Sequence, residues 1–155
     1  MGSTEKNAGE CANRSAERRG RCLCGAVRFV ARGAPNWVAH CHCESCRRAT
    51  SAGFTTYAGY PSAAVTWTGA PASAYASSAG VSRRFCGRCG SPLSFEGVRW
   101  PGETHLFVAS FEDPAALTPT VHVHAEEQLA WVQLADGLPR YARTQSAGPA
   151  LEAPQ

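Results

Sequence analysis

Seven of the eight cysteines of this 155-residue chain stand in three short groups whose spacing suits metal binding. The groups are Cys22 with Cys24, Cys41 with Cys43 and Cys46, and Cys86 with Cys89, while Cys11 stands alone. The segment that precedes them is polar and lacks the apolar centre of a secretory signal, so we expect a cytoplasmic protein whose thiols stay reduced. Clustered cysteines in a reducing compartment indicate metal ligation rather than disulfides.

Two of the groups have the pattern of zinc knuckles, RCLCG and FCGRCG. Two thiols this close together can bind one metal from a tight turn, and the glycine after each pair, Gly25 or Gly90, permits a positive φ. Joining the two pairs predicts a closed, structural zinc site that ties the start of the domain to its middle. The alternative is four unrelated core cysteines, which the paired spacing disfavours.

The stretch AHCHCESCRRATS holds the other three clustered thiols, those of Cys41, Cys43 and Cys46. A zinc ion with three protein ligands keeps a fourth position for water or substrate, as catalytic zinc sites do. The alternative is a closed site with His40 or His42 as the fourth ligand. In an extended segment, however, the side chain of His42 points away from its two cysteine neighbours, and His40 would have to fold back. The spacing therefore favours an open, catalytic zinc site.

The ligand type limits the chemistry of such a site. Three thiolates give a zinc ion a net negative set of ligands and make it a weaker Lewis acid than three neutral imidazoles would. Such an ion is poorly suited to generating hydroxide, but it can hold a substrate thiol as the thiolate. We therefore expect thiol activation rather than hydrolysis. Arg47 and Arg48 directly follow Cys46 and would offset the negative charge, unless they form an ordinary solvated turn.

Composition does not favour nucleic acid or a membrane as a partner. The formal net charge is only +3, and the fourteen Arg residues and one Lys are dispersed apart from three short Arg pairs. Nucleic-acid binding is therefore not expected. No run of about 18 apolar residues is present, so no segment is expected to span a membrane.

The sequence indicates one mainly β domain between two loose ends. Residues 1–19 are polar and lack an apolar period, which predicts a disordered leader, and residues 144–155 predict a flexible tail for the same reason. Between them, residues 20–143 contain many short alternating runs separated by Gly or Pro, which indicates an antiparallel β domain. ESCRRAT is expected to form one helical turn, and AEEQLAWVQL is a marginal helix.

Six segments, in order, make the sequence resemble the glutathione-dependent formaldehyde-activating enzyme family, which includes centromere protein V. They are RCLCGAVRF, AHCHCESCRRATSAGF, RRFCGRCGSPLSF, FEDP, TPTVH and W-x5-GLPRY. The resemblance implies a β-tent fold of two stacked antiparallel sheets with zinc knuckles. It also implies two zinc ions per chain, one structural on Cys22, Cys24, Cys86 and Cys89 and one catalytic on Cys41, Cys43 and Cys46.

The resemblance further implies a carbon–sulfur lyase of the S-(hydroxymethyl)glutathione synthase type, which joins glutathione to formaldehyde. The expected partners are therefore a small-molecule thiol, glutathione, and a small aldehyde, with the thiol sulfur at or near the second zinc. The alternative is a non-catalytic, zinc-stabilised module for a protein partner, in which protein ligands would close both metal sites. Candidate partners for the two glutathione carboxylates are Arg47, Arg48, Arg83, Arg84 and Arg88.

Two histidines near the C-terminal end of the domain also belong to the pattern. His122 matches the TP-x-VH segment of the family, and it would share one side of a strand with His124. We expect His122 to be a buried histidine that bonds to the backbone. The sequence assigns no role to His124 or to Cys11.

Overall fold

Two β-sheets and one short α-helix make up the part of the chain that the computed structural model describes, residues 16–151. The strands are β1 (Glu17–Arg21), β2 (Val27–Arg32), β3 (Trp37–Cys41), β4 (Thr55–Pro61), β5 (Val65–Gly69), β6 (Ser73–Ser78), β7 (Val81–Phe85), β8 (Pro92–Gly97), β9 (Glu103–Phe107), β10 (Val121–Val123), β11 (Arg140–Tyr141) and β12 (Ala150–Leu151). The helix α1 is Glu44–Thr50, and 3-10 turns cover Ser62–Ala64, Val108–Ser110, Pro114–Ala116 and Ala125–Glu127. The predicted mainly β class is confirmed. Within the described range, no helix is long and apolar enough to cross a membrane.

Sheet I contains three strands in the order β1-β2-β5, and sheet II contains nine in the order β12-β11-β10-β3-β4-β9-β8-β7-β6. Neighbouring strands are antiparallel, except that β10 lies parallel to β3 and to β11. The connection over 108–120 carries the chain from β9 to the far side of β3, and this crossover sets the parallel direction. The expected two-sheet fold is therefore present, with parallel pairing around β10.

The main core lies between sheet I and one face of sheet II. In β2, Val27 and Phe29 are buried and alternate with more exposed residues, which is the period of a strand with one face toward a core. They share an apolar cluster with Tyr60 of β4 and Leu106 of β9. The ring of Phe29 also packs edge-on against Phe111, with 5.0 Å between the ring centroids. The opposite face of sheet II is left free of this core.

The first and last strands extend the domain beyond its predicted limits. Strand β1 begins at Glu17, so the predicted boundary between residues 19 and 20 falls inside a strand and is wrong. The sequence of β1, ERRGR, has no apolar alternation, and the strand is paired along its length with β2. In the predicted flexible tail, β12 pairs with β11. Residues 1–15, with Cys11, and residues 152–155 lie outside the described residues, so the disorder expected there stays a prediction.

The two helix predictions have different outcomes. ESCRRAT forms α1 over its whole length, which is longer than the single turn expected. AEEQLAWVQL forms only the 3-10 turn at its start. The reason is a lack of a continuous buried stripe, since Trp131 is 73% exposed while Val132 is buried. A short helix gains most of its stability from burying such a stripe.

A substitution at Gly20 tests how β1 is attached to the core. The ring of Phe29 lies across Gly20 from the paired strand, and a Cβ atom at Gly20 would lie 2.1 Å from Phe29 Cζ. Because Phe29 is enclosed by Trp67 and Phe111, it cannot move aside freely. We expect Gly20→Ala to lower the free energy of unfolding by about 1–3 kcal/mol, measured by urea denaturation.

The control is Gly97→Ala, where the nearest atom, in the ring of Phe95, lies 3.2 Å from the added Cβ. The control variant should lose much less stability. Equal unfolding midpoints for Gly20→Ala and the unsubstituted protein would contradict this account of the β1 attachment.

Candidate metal centres

Four thiols from two distant turns meet at one point of the structure. Cys22 and Cys24 lie in the turn between β1 and β2, and Cys86 and Cys89 lie in the turn between β7 and β8. All four sulfur atoms lie within 4.8 Å of one another. Cys24 Sγ is 3.6 Å from Cys22 Sγ and 3.8 Å from Cys86 Sγ. In a tetrahedral zinc site with bonds of about 2.3 Å, the sulfur atoms are about 3.8 Å apart, so this cluster fits a zinc ion.

Both turns have the knuckle geometry that their glycines predict. Gly25 N–H donates to the carbonyl of Cys22, and Gly90 N–H donates to the carbonyl of Cys86, at 3.0 and 2.8 Å. The φ angles of the two glycines are 74° and 76°, in the left-handed region. This conformation is open to glycine at little steric cost, so the turns can aim two thiols at one point.

Ser91 connects the two knuckles directly. Its hydroxyl accepts a hydrogen bond from Leu23 N–H at 3.0 Å and lies 3.2 Å from Cys89 Sγ. The hydrogen bond from Ser91 and, after it, backbone N–H groups lower the pKa of Cys89 to about 5. A thiolate is the form that binds a metal, so the knuckle favours the ligand state of this cysteine.

The three thiols of Cys41, Cys43 and Cys46 form a second cluster at the start of α1. Their sulfur atoms lie within 4.8 Å of one another, and no other His, Cys, Asp or Glu of residues 16–151 belongs to this group. Cys41 ends β3, Cys43 is the N-cap of α1, and Cys46 lies in its first turn. The Cys43 sulfur accepts a hydrogen bond from Cys46 N–H at 3.4 Å, so the helix cap fixes the spacing of these two ligands.

The two histidines of this segment lie outside the cluster. His42 points to the other side of the strand, as the alternation predicts, and its Nε2 lies 2.9 Å from Nδ1 of the buried His122. His40 Nδ1 lies 2.8 Å from the Thr56 hydroxyl. Nε2 of His122 lies 2.9 Å from an oxygen of Asp136. The expectation that His122 bonds to backbone is therefore corrected, because both of its ring nitrogens meet side chains.

Tyr57 and Arg83 are the side chains that contact Cys46. The Tyr57 hydroxyl donates a hydrogen bond to Cys46 Sγ at 3.4 Å, and both terminal nitrogens of Arg83 lie 3.9 Å from the same atom. Hydrogen bonds from Cys41 and Cys43, followed by that of Tyr57 and the charge of Arg83, lower the pKa of Cys46 to about 2. Negative charge is therefore favoured on the sulfur of Cys46, whereas the hydrogen bonds within the cluster raise the pKa of Cys41.

Arg47 and Arg48 do not play the part that their sequence position suggested. Arg47 Nε donates to the carbonyl of His42 at 3.0 Å, and Arg48 pairs with Glu44 at 2.7 Å on the exposed side of α1. The physical reason is the helical period, since residues directly after Cys46 point to other sides of the helix. Arg83 lies beside Cys46 because strand pairing brings β7 there, and no local pattern in the sequence gives this contact.

The three-thiol cluster opens onto a cavity of about 1130 Å³ on the face of sheet II that points away from the main core. Alternation along the strands assigns residues to the two faces: in β9, Leu106 is in the core while His105 and Phe107 line the cavity. The aromatic lining nearest the cluster consists of Trp37, Tyr57, Phe95, Trp100, His105 and Phe107. His124 lies at the same cavity, but His122 does not line it.

Two sheets with two thiol clusters, one of four and one of three, define a mainly β protein with two candidate zinc centres. The sequence matches the family described as glutathione-dependent formaldehyde-activating enzyme over residues 17–127, which is more than half of the chain. The protein therefore belongs to this family. The match begins where β1 begins.

A crystal structure of a Rhodobacter sphaeroides protein is similar in fold. The TM-score is 0.50 at 21% sequence identity, and the similarity covers 61% of this chain and 87% of that chain. At this identity the similarity supports the fold alone. None of the curated proteins matches the sequence significantly.

Replacing Cys86 tests the four-thiol centre. The free energy of binding a structural zinc ion is largely free energy of folding, on the order of 10 kcal/mol, and this cluster joins segments that are more than sixty residues apart. We expect Cys86→Ser to unfold or aggregate, measured by soluble yield and thermal melting in the presence of zinc. The control is Cys11→Ser, which removes the cysteine that belongs to no group. A soluble Cys86→Ser variant with unchanged melting would contradict the four-cysteine assignment.

Replacing Cys43 tests whether the two centres are independent. All three thiols of its cluster come from a segment of six residues, so a metal ion bound there restricts the unfolded chain only a little and contributes little to the stability of the fold. Serine also preserves an N-cap for α1. We expect Cys43→Ser to keep the fold and to reduce the zinc content from two ions per chain toward one, measured by elemental analysis. Loss of both ions together with unfolding would count against this division.

Proposed function

We propose that the protein is a carbon–sulfur lyase that joins glutathione to an aldehyde, as in the formation of S-(hydroxymethyl)glutathione. In this proposal Cys41, Cys43 and Cys46 hold a catalytic zinc ion, and Cys22, Cys24, Cys86 and Cys89 hold a structural one. The observation that carries the proposal is a cluster of three thiols without a fourth metal ligand in the described range, which opens onto a large cavity. The family description supports the thiol and the aldehyde as substrates.

The donor set suits zinc and a sulfur substrate. A zinc ion bound by three thiolates would accept a fourth, soft ligand and would lower the pKa of a thiol that it binds. Cys41 and Cys46 are buried and Cys43 is partly buried, so the remaining approach is from the cavity. A substrate thiol could therefore reach a metal ion at this cluster only from the cavity.

Arg83 and Tyr57 are suited to stabilise the charge that accompanies this chemistry. Three thiolates and one divalent ion carry a net charge of minus one, and a substrate thiolate makes it more negative. The guanidinium of Arg83 and the hydroxyl of Tyr57, at 3.9 and 3.4 Å from Cys46 Sγ, supply one positive charge and two kinds of hydrogen-bond donor. A charge-assisted contact in a partly buried site is stronger than the same contact in water.

Arg83 is also suited to stabilise the negative charge that forms during the reaction. When the thiol sulfur attacks the carbonyl carbon, the carbonyl oxygen gains negative charge until it takes a proton. Each terminal nitrogen of Arg83 carries two N–H groups, so Arg83 can donate one of them to that oxygen from its position beside the cluster, whereas the single O–H of Tyr57 stays with Cys46 Sγ. Donors that are held in place before the reaction need no reorganisation, which is the usual source of such stabilisation.

Cobalt substitution tests the open position directly. With cobalt in both centres, addition of glutathione should change the sulfur-to-metal charge-transfer absorption, since the substrate sulfur becomes an additional ligand. Cys46→Ser should abolish this change, while the absorption of the four-thiol centre remains. If neither glutathione nor another small thiol perturbs the spectrum, the proposal fails. The protein would then be a zinc-stabilised binding module with two structural centres.

Neutralising Arg83 tests its role beside the cluster. We expect Arg83→Gln to weaken glutathione binding to the cobalt-loaded protein at least about tenfold, because a hydrogen bond to a charged group contributes about 1.5–3 kcal/mol. The matched control is Arg84→Gln, since the neighbouring Arg84 pairs with Glu96 and lies over Trp67. Equal affinities for the two variants would show that Arg83 does not stabilise the bound thiol.

A further inference from the structure

The cavity beside the three-thiol cluster is much larger than formaldehyde requires. Formaldehyde has only two non-hydrogen atoms, whereas a volume of about 1130 Å³ slightly exceeds the range of cavities that hold ligands of drug size, about 300–1,000 Å³. Glutathione would fill part of this space. Its two carboxylates and its ammonium group, however, require polar partners.

The floor of the cavity offers few such partners, because aromatic rings cover it. Strand pairing aligns Gly59 with His105, His105 with Phe95, and Phe95 with Arg83, so one row of side chains crosses four strands. Trp37 covers the glycine in this row, since a Cβ atom at Gly59 would lie 2.3 Å from its indole ring. We call Trp37, Phe95, Trp100 and His105 the aromatic floor.

One partly buried carboxylate fixes part of this floor. Glu103 Oε1 accepts a hydrogen bond from Trp37 Nε1 at 2.8 Å and lies 2.8 Å from His105 Nε2. The rings of Trp37 and His105 therefore meet edge-on, with 4.6 Å between their centroids, and Phe95 packs 5.2 Å from His105. Because these side chains are already held in place, binding a flat apolar group on this surface would cost them little conformational entropy.

The aromatic floor and the thiol cluster are direct neighbours. The guanidinium of Arg83 lies 5.0 Å from the centroid of Phe95 and 3.9 Å from Cys46 Sγ. Tyr57, whose hydroxyl contacts Cys46, has its ring 6.4 Å from that of Phe95. A group that rests on the floor is therefore within the length of a short side chain from the sulfur atoms.

The floor and the rim of the cavity differ in charge, so they suit different parts of the substrates. Arg83 already contacts Cys46 and Ser77, and Arg84 pairs with Glu96, so the floor has little free positive charge. The rim includes the exposed Arg99, for which the described residues offer no ion pair, and Arg48, which pairs with Glu44 on the exposed side. The carboxylates of a tripeptide thiol suit the rim, and the floor is left for an apolar group.

We propose that the carbonyl substrate is an aldehyde that carries an aromatic ring, and that the ring packs on the aromatic floor while the aldehyde carbon reaches the three-thiol cluster. This inference rests on the proposed function and specifies its second substrate. In the reaction a carbon–sulfur bond forms between the thiol and the aldehyde carbon, the carbonyl π bond breaks, and the thiol proton ends on the oxygen. No oxidant or reductant is needed.

The test compares 3-phenylpropanal with propanal, whose aldehyde groups have similar reactivity and which differ by one phenyl ring. With zinc-loaded protein and glutathione, kcat/KM should be at least about tenfold higher for 3-phenylpropanal, since even one methylene group in an apolar pocket discriminates about 10- to 200-fold. Phe95→Leu should reduce this ratio. Trp131→Phe, at an exposed residue that does not line the cavity, should leave the ratio unchanged.

A binding measurement without a thiol tests the aromatic floor independently of the reaction. In saturation-transfer NMR without a thiol, the phenyl protons of 3-phenylpropanol should receive saturation from the protein, and less from Phe95→Leu. Equal kcat/KM values for the two aldehydes, or phenyl protons that receive no saturation, would overturn the aromatic substrate and would leave the proposed function intact. If neither aldehyde reacts and glutathione does not change the absorption of the cobalt-loaded protein, the proposed function is overturned, and this inference with it.

Discussion

The convergence of four thiols on one point is the constraint on which the rest of this structure depends. It joins the β1–β2 turn of sheet I to the β7–β8 turn of sheet II, and Ser91 bonds the two turns to each other. Strand β7, which leads into Cys86, also carries Arg83 three residues earlier. The convergence of thiols at the end of this strand therefore helps to fix the guanidinium that faces the other thiol cluster. In this way the four-thiol cluster positions one wall of the candidate site around the three thiols.

Sheet II supports both a core and a reactive cavity because its two faces are used differently. Leu106 on one face belongs to the main core, whereas its neighbours His105 and Phe107 line the cavity on the other. A strand with both faces covered cannot shift by one residue without exchanging its two sets of side chains, so the register is strongly determined. The positive charge near the cluster comes from Arg83, a neutral hydrogen-bond donor comes from Tyr57, and Glu103 hydrogen-bonds to the cavity floor. Most of the aromatic floor, together with Cys41, the last residue of β3, thus belongs to one sheet, and α1 adds the thiols of Cys43 and Cys46.

The sequence could predict what depends on local spacing. The cysteine groups, the glycines of the two knuckles and the direction of His42 all follow from the separation of a few residues, and the family could be identified from ordered motifs. Arg83 at the cluster could not be predicted in this way, because its position follows from pairing across β7, β8, β9 and β4. Strand β1 was missed for a related reason, since ERRGR is stabilised by its partner strand and by the Phe29 ring over Gly20 rather than by its own apolar pattern. The same holds for His122, whose partners His42 and Asp136 come from other segments.

The central claim is that the cluster of Cys41, Cys43 and Cys46 keeps a metal position for a substrate sulfur. The most direct measurement is a crystal structure of the zinc-loaded protein soaked with glutathione, with zinc located by anomalous scattering. The account predicts the glutathione sulfur at bonding distance, about 2.3 Å, from the zinc ion held by these three cysteines. A fourth ligand from the protein at this zinc ion, with the glutathione sulfur bound elsewhere or absent, would contradict it.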